Sequence, residues 1–294
     1  MYLKELLNIG QATVSVLYPE REAKEMVLAY LESLVGIKRH THIVEPDYIV
    51  PEDKTETALA AFRRMASGEP LQYIIGKTWF YSRQFRVTPD VLIPRPETEV
   101  LVNSAVSQKS PADRTKTPAI LDLCTGSGCI AWTLALEMPG AQVTAVDISD
   151  GALEVASSQD FSHEMAQTGA CAPRFVKADV LQDELLIKGQ DKYDIIVSNP
   201  PYVMDSEKSL MRTNVLDHEP HLALFVPDDD ALKFYKAIAR HASGLLKEDG
   251  FGIVEINEAL GPQTAEVFSL AGFATQILKD LYDKDRFVKF ILNR

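Results

Sequence analysis

Apolar and polar positions alternate with helical spacing in the first part of the chain. Val27, Leu31 and Leu34 recur at intervals of four and three residues, and charged side chains lie beside them. A second helical stretch runs from Thr55 to Met65, where a following glycine and proline end it. This pattern predicts a small all-helical domain over residues 1–73.

The pattern changes between residues 74 and 96, where aromatic and β-branched residues replace the helical spacing. Trp79, Phe80, Tyr81, Phe85 and Val87 lie close together, and a Pro-Asp pair follows them. Such a run with a turn signal favours a short β-hairpin. We expect this hairpin to link the helical domain to the rest of the chain.

Strand-like and helix-like segments alternate over residues 97–294. Short apolar runs are separated by stretches with helical spacing, which is typical of a parallel sheet with helices on both faces. The predicted fold class is therefore α/β, with a Rossmann-like sheet. The predicted strands are 119–124, 142–147, 174–178, 193–198 and 252–256.

The composition is that of an ordinary globular protein, with 46% hydrophobic and 24% charged residues among 294. The chain has no apolar run long enough to cross a bilayer and no signal-peptide pattern, so we expect a cytoplasmic protein without a membrane partner. A formal charge of −12 argues against a generic nucleic-acid binder. The cysteines Cys124, Cys129 and Cys171 lack metal-ligand spacing, and no metal site is expected.

A glycine-containing turn follows the first strand of the α/β region. An apolar strand ends in Cys124, Thr125, Gly126, Ser127 and Gly128, and a helix follows directly. Glycines let the backbone approach a nucleotide-like ligand, and the helix start offers free N–H groups. Alternative interpretations are a dinucleotide-binding fingerprint and a plain tight turn.

Acidic residues end the next two predicted strands. Asp147 can accept hydrogen bonds from both ribose hydroxyls of an adenosine, although capping of the following helix is an alternative. Asp179 can read the adenine amino group while its neighbour Val180 covers the base. A solvated loop carboxylate is the competing interpretation of Asp179.

The most specific motif is Asn199-Pro200-Pro201-Tyr202, directly after the fourth predicted strand. Two prolines remove two backbone donors and leave carbonyls that only accept. The Asn199 oxygen and the Pro200 carbonyl can hold a planar NH₂ group in line with a methyl donor, and Tyr202 can pack on its flat face. A β-turn with an Asx cap is the alternative.

These motifs together resemble the release factor glutamine methyltransferases, the PrmC/HemK family, over nearly the whole chain. The segment Leu92-Ile93-Pro94-Arg95-Pro96-Glu97-Thr98-Glu99 resembles that family's connection between its helical and catalytic domains. DNA adenine methyltransferases share Asn-Pro-Pro-Tyr but are not expected to have this segment. Three positions depart from the family pattern: Cys124 and Asn257 stand where the family often has glycine, and Val180 stands where an aromatic residue often covers adenine.

The resemblance implies a class I methyltransferase that uses S-adenosylmethionine and releases S-adenosylhomocysteine. It implies that residues 124–128 line the methionine side, Asp147 holds the ribose and Val180 lies against adenine. Asn199 to Tyr202 would hold the substrate glutamine, and Arg95 would shape its pocket, unless Arg95 forms only a surface ion pair. The implied partners are release factors 1 and 2, methylated on the Gly-Gly-Gln glutamine, and we expect a monomer.

Three other functions compete with this interpretation. An N6-adenine nucleic-acid methyltransferase would use the same Asn-Pro-Pro-Tyr site, but the negative net charge disfavours it. A nucleotide-binding dehydrogenase leaves Asn-Pro-Pro-Tyr unexplained. A non-catalytic cofactor-binding protein would tolerate loss of the Asn199 side chain.

Overall fold

The structure is a computed structural model of the chain, and it describes residues 1–108, 117–182, 185, 192–280 and 282–293. The chain divides into two compact units. The first unit comprises Met1–Thr78 and Met211–Glu219, and the second comprises Trp79–Leu210 and Pro220–Arg294. The bounds expected from the sequence for the individual domains stay a prediction.

The first unit is built from helices whose apolar faces meet in one core. Its helices include α1 (Leu3–Val14), α2 (Glu20–Val35), α3 (Thr41–Val44), α4 (Glu52–Ala66) and α5 (Leu71–Ile75). Val27 and Leu31, which carry the predicted periodicity, are fully buried beside Phe62. A Cβ atom at Gly10 would lie 2.7 Å from the Phe62 ring, so this glycine lets α1 approach α4 closely.

The predicted hairpin is present as β1 (Lys77–Phe80) and β2 (Arg83–Arg86). Its turn residues, Tyr81 and Ser82, both have positive φ angles, of 50° and 61°. Two consecutive positive φ angles characterise a type I′ turn, whose twist matches that of the flanking strands. Phe80 and Phe85 are buried in the core of the second unit, so the hairpin is packed into that unit.

The second unit is centred on a seven-stranded sheet. Its strands are β3 (Ala119–Leu123), β4 (Gln142–Asp147), β5 (Arg174–Lys177), β6 (Tyr193–Ser198), β9 (Leu246–Glu255), β10 (Phe273–Lys279) and β11 (Asp285–Leu292). They lie in the order β10-β11-β9-β6-β3-β4-β5. Each residue of β3, which lies between β6 and β4, is buried, as expected for a strand covered on both faces. Two further two-residue strands, β7 (Val203–Met204) and β8 (Phe225–Val226), form a separate small sheet.

Helices cover both faces of the large sheet, which confirms the predicted fold class. One buried cluster includes Leu101 and Trp132, and a second includes Ile238 and Phe268. The helices after the hairpin are α6 (Thr98–Ser107), α7 (Cys129–Glu137), α8 (Asp150–Ser157), α9 (Ser162–Thr168), α10 (Thr213–His218), α11 (Lys233–Leu245) and α12 (Gly261–Leu270). Of these, α10 belongs to the first unit.

The sheet differs from the expected parallel sheet at one edge. β11 runs antiparallel to both β9 and β10, and the predicted strands include neither β10 nor β11. β10 lies at the edge of the sheet, where one residue of seven is buried, so its sequence carries little of the continuous apolar signal of a central strand.

Gly252 makes room for an aromatic cluster beneath the sheet. It pairs with Phe290, and a Cβ atom at position 252 would lie 2.0 Å from that ring. The Phe290 ring stacks on Phe268 with 4.2 Å between centroids and contacts Phe273 edge-on at 5.2 Å. Because rings on both sides block its movement, a methyl group at position 252 forces neighbouring side chains out of their rotamers.

Gly252→Ala is therefore expected to lower the free energy of unfolding by about 1–3 kcal/mol. Gly244→Ala is the matched control, since Gly244 lies exposed in α11 and its Cβ would meet no atom within 4 Å. Because Gly244 lies in the last turn of α11 rather than in its interior, Gly244→Ala is expected to raise the free energy of unfolding by less than about 1 kcal/mol or to leave it unchanged. Thermal unfolding followed by circular dichroism compares the two variants. An unchanged or higher midpoint for Gly252→Ala would show that the ring moves freely.

Candidate active site

An open cavity lies where the carboxyl ends of β3, β4, β5 and β6 meet. The empty space within it, including the solvent at its open mouth, is about 970 Å³. Parallel strands bring the loops that follow them to one edge of the sheet, where open α/β folds bind ligands. Of the residues predicted from the sequence, the cavity lining includes Arg95, Cys124, Thr125, Gly126, Ser127, Asp147, Asp179, Val180, Asn199 and Pro201.

The loop after β3 turns through left-handed backbone conformations. The φ angles of Cys124, Gly126 and Gly128 are 61°, 55° and 77°. A Cβ atom at Gly126 would meet no atom within 4 Å, so the backbone there is open to a ligand. At Gly128 it would lie 3.0 Å from the Cβ of Ala156, so this predicted cofactor residue lets α7 pack against α8.

Cys124 takes a conformation that glycine adopts more easily. A non-glycine residue in the left-handed region costs about 1–2 kcal/mol. Its side chain packs against the apolar cluster that includes Ile238, and this packing offsets part of the cost. Burial raises the pKa of the Cys124 thiol well above its usual range, so the cavity is lined by a neutral thiol.

Asp147 holds two loops together at the end of β4. Its Oδ2 accepts a hydrogen bond of 2.9 Å from the backbone N–H of Gly126, and its Oδ1 accepts one of 3.0 Å from Ser149. Burial raises the pKa of the Asp147 carboxyl, and these backbone hydrogen bonds oppose the increase. Each carboxylate oxygen keeps a further lone pair for a ligand in the cavity.

Asp179 and Val180 follow β5 and line the cavity together. Asp179 Oδ1 accepts from the backbone N–H of Leu181 at 2.9 Å, and its Oδ2 accepts from Gln182 Nε2 at 3.0 Å. Val180 is buried, and its carbonyl oxygen lies 2.8 Å from His241 Nε2. These two hydrogen bonds stabilise the turn that contains Asp179.

The four residues of Asn199 to Tyr202 are placed differently from one another. Asn199 and Pro201 line the cavity, whereas Pro200 is buried and is not among the lining residues. The Tyr202 hydroxyl donates a hydrogen bond of 2.9 Å to Glu255 Oε1, so the ring tip points towards the core. The predicted contacts of Pro200 and Tyr202 with a substrate amide stay predictions.

Two polar residues whose contact the sequence motifs did not indicate, Thr98 and Glu255, lie next to Asn199, and Thr98 also lines the cavity. Asn199 Nδ2 donates to Thr98 Oγ1 at 3.3 Å, and the Thr98 hydroxyl donates to Glu255 Oε2 at 2.7 Å. Glu255 is only 1% exposed, and burial raises the pKa of its carboxyl. The sequence does contain one signal for this pair, which is the charged residue inside the apolar run Ile253-Val254-Glu255-Ile256. A carboxylate that is buried in a strand needs hydrogen-bond donors nearby.

Apolar residues outside the motifs also line the cavity and were not predicted. They include Ile148, Leu222 and Phe234, together with Ala152. Ile148 and Leu222 are 44% and 59% exposed, which is high for large apolar side chains beside a cavity. Ile148 could have been found from its position directly after Asp147, whereas Leu222 and Phe234 come from distant parts of the chain.

Acidic groups dominate the charge around the cavity. Asp90, Asp147 and Asp179 line it, and Arg95 is the basic residue among the lining side chains that the structure describes. Asp122 lies beside the loop after β3, where its Oδ2 accepts a 2.6 Å hydrogen bond from the Thr125 hydroxyl. The site is therefore suited to a ligand that carries positive charge.

Asp122 gives the unfolding equilibrium a dependence on pH. Burial raises the pKa of its carboxyl from 3.8 to about 7, with the charge of Asp147 adding to the increase and the Thr125 hydrogen bond opposing it. Between these two pKa values the folded state holds a proton that the unfolded state has released. The stability contributed by Asp122 therefore falls as the pH rises through this window.

Relative to Asp122→Asn, the wild-type free energy of unfolding is expected to fall by up to about 1.4 kcal/mol per pH unit between about pH 4 and pH 7. Asparagine keeps the shape and a Thr125 acceptor but does not titrate. Urea unfolding of both proteins across this range measures the difference. Parallel pH profiles would mean that Asp122 is ionised in the fold throughout.

Within the ranges that the structure describes, no helix is long and apolar enough to cross a membrane. Among those same residues, no group of three or more histidine, cysteine, aspartate or glutamate side chains is placed to hold a metal ion.

Family models match both parts of the chain. The PrmC N-terminal domain matches residues 5–76, and the Methyltransferase small domain matches residues 98–222. A solved structure of the protein-(glutamine-N5) methyltransferase (release factor-specific) from Alicyclobacillus acidocaldarius is 28% identical, with a TM-score of 0.41. That comparison covers 71% of this chain and 100% of the other.

Relatives that match over nearly the whole of both chains belong to the same family as the matching N-terminal model. A release factor glutamine methyltransferase from Flavobacterium psychrophilum is 38% identical over 280 residues, which cover 95% of each chain. One from Bacteroides thetaiotaomicron is 39% identical over 92% of this chain and 93% of its own, and one from Bacillus subtilis is 37% identical over 94% and 92%. The resemblance inferred from the motifs is thereby confirmed, and the chain belongs to the family of release factor glutamine methyltransferases.

Proposed function

We propose that this protein transfers a methyl group from S-adenosylmethionine to the side-chain amide nitrogen of the glutamine in the Gly-Gly-Gln loop of peptide chain release factors 1 and 2. The observation that carries the proposal is the position of Asn199 in the cavity, with its Nδ2 bonded to Thr98. Its Oδ1 is then available to accept from an NH₂ group. The names of the relatives support the choice of substrate.

The charge of the cavity supports S-adenosylmethionine over a dinucleotide. A sulfonium carries positive charge, whereas a dinucleotide brings an anionic pyrophosphate. Three carboxylates, Asp90, Asp147 and Asp179, face one guanidinium, that of Arg95, in the lining that the structure describes. Such a field attracts a cation and repels a phosphate.

The residues around the cavity fit this cofactor part by part. The open backbone at Gly126, with Thr125 beside it, would receive the methionine end. Asp147 would accept from the ribose hydroxyls with the lone pairs that its two backbone hydrogen bonds leave. Asp179 and Val180 would hold the adenine. The cofactor supplies an electrophilic methyl group.

Asn199 and Pro200 would orient the glutamine amide for attack. An amide nitrogen is a poor nucleophile because its lone pair is delocalised, and it becomes more positive as the new bond forms. Acceptors aimed at its two N–H bonds therefore bind the transition state more strongly than the ground state. The Asn199 side-chain oxygen and the Pro200 carbonyl would supply such acceptors. Because the nitrogen releases one N–H proton to solvent only after its bond to the methyl group has formed and S-adenosylhomocysteine has been displaced, no base is needed before transfer.

A methyl-transfer assay with labelled S-adenosylmethionine tests this proposal. Purified release factor, its Gln→Ala loop variant and duplex DNA are offered in parallel, with Asn199→Ala enzyme as a control. We expect label on intact release factor alone, lost with either substitution. Label on DNA would instead establish a base-amine methyltransferase, and no label on any substrate would leave a non-catalytic role.

We further propose that the enzyme acts in the cytoplasm as a monomer. Release factors work on cytoplasmic ribosomes, and each copy of this chain carries a whole set of the candidate cofactor residues. Sedimentation equilibrium of the purified protein tests the second part, and a mass of twice the 32.7 kDa of the chain would contradict it.

A further inference from the structure

The buried carboxylate of Glu255 lies beside the end of β6. β9 pairs with β6 so that Ser198 lies opposite Val254, which brings Glu255 next to Asn199. Both oxygens of Glu255 accept hydrogen bonds, Oε2 from Thr98 at 2.7 Å and Oε1 from Tyr202 at 2.9 Å. Two donors at one buried carboxylate are the arrangement that keeps its charge satisfied.

These contacts fix the direction of the hydrogen bond between Thr98 and Asn199. The Thr98 hydroxyl has one proton, and it donates this proton to Glu255 Oε2 at 2.7 Å. The Thr98 oxygen can then only accept from Asn199, at 3.3 Å. Thr98 is 2% exposed, so water does not compete for these bonds.

An asparagine amide has the same shape in both of its orientations, and its hydrogen-bond partners decide between them. With Nδ2 committed to Thr98, Asn199 turns Oδ1 away from Thr98. In the opposite orientation it would present its own NH₂ to the NH₂ of a substrate, and two donors would face each other. The orientation of this one amide therefore decides whether the cavity accepts a group that bears N–H bonds.

We propose that Thr98, held by Glu255, is a positioning residue that sets the orientation of the Asn199 amide and thereby selects an NH₂-bearing substrate. This inference rests on the proposed function. Neither residue needs to touch the reacting nitrogen, because both act through Asn199. The contact aids the transition state, so its loss lowers kcat more than it raises KM.

Thr98→Val tests the proposal, because valine keeps the shape of threonine and removes the hydroxyl. We expect kcat for methylation of release factor to fall about tenfold, the worth of one hydrogen bond, while KM for S-adenosylmethionine stays within about twofold. Thr98→Ser restores the hydroxyl and is expected to recover kcat. Equal kcat values for the valine and serine variants would overturn the proposal.

A double-mutant cycle tests whether Glu255 acts through Thr98. Glu255→Gln introduces an NH₂ group that donates a hydrogen bond to the hydroxyl oxygen of either Thr98 or Tyr202, and we expect it to lower kcat by about three- to tenfold in the wild-type background. In the Thr98→Val background it should add nothing further. Independent, multiplicative losses, or no loss in the wild-type background, would overturn the assigned role of Glu255.

A measurement without turnover separates this inference from the proposed function. The side-chain amide ¹H–¹⁵N resonances of Asn199 can be assigned by their absence from Asn199→Asp. We expect Thr98→Val to shift them and Thr98→Ser to leave them near their wild-type positions. Unmoved resonances in Thr98→Val would overturn the inference even if release factor is methylated, whereas shifted ones would support it even if another substrate is used.

Discussion

Replacing Asn199 with alanine is expected to lower kcat for methylation of release factor by about 10²–10³-fold, the effect of removing one preorganised hydrogen-bonding group from a reacting centre. Asn199 lines the cavity at the end of β6, and the hydrogen bond from its Nδ2 to Thr98, which also lines the cavity, holds its orientation. Alanine removes the acceptor whose hydrogen bond strengthens as the nitrogen becomes positive. The other acceptor, the backbone carbonyl of Pro200, remains and sets the residual rate.

The loss should appear in kcat with little change in the affinity for S-adenosylmethionine, which isothermal titration calorimetry measures. Asn103→Ala is the matched control, because Asn103 is an exposed asparagine that accepts a hydrogen bond from the Tyr81 hydroxyl at 2.7 Å. Near wild-type kcat in Asn199→Ala would remove this asparagine from the reaction and favour a non-catalytic role for the cavity.

The place of the site could be predicted from the sequence because of how parallel strands are arranged. Residues that follow such strands gather at one edge of the sheet, so motifs after separate strands imply one cavity. Thr125, Asp147, Val180 and Asn199 come from four different loops and line the same space. The local sequence pattern was sufficient to predict the position of the cavity because each of these residues lies at or just after the end of its own strand.

The sequence could not show which side chains form hydrogen bonds with the lining residues and hold them in place. Thr98 and Glu255 meet only because α6 begins beside the carboxyl end of β9, a contact between distant segments that no local pattern encodes. The orientation of the Tyr202 side chain also depends on a contact between distant segments. The expected packing of its ring on the substrate amide stays a prediction, but the hydrogen bond from its hydroxyl to the buried carboxylate of Glu255 could not be read from the sequence.

Asp147→Asn is expected to weaken the binding of S-adenosylmethionine by about 10- to 100-fold, the worth of a hydrogen bond to a charged group. The carboxylate accepts from two backbone N–H groups, those of Gly126 and Ser149, at 2.9 and 3.0 Å. An amide has one oxygen, so its NH₂ must face one of these donors and open one loop. The variant thus loses an acceptor for the ribose and part of the loop geometry.

Titration calorimetry with both S-adenosylmethionine and S-adenosylhomocysteine separates two causes of that loss. The product lacks the sulfonium charge but has the same ribose, so equal weakening of both ligands identifies the ribose hydrogen bonds as the cause. Greater weakening of S-adenosylmethionine identifies the carboxylate charge instead. Asp150→Asn is the control, since the Asp150 side chain is 79% exposed and paired with Lys177 at 2.5 Å. Wild-type affinity in Asp147→Asn would mean that the cofactor is held elsewhere in the cavity, because the carboxylate at the end of β4 would then contribute nothing to its binding.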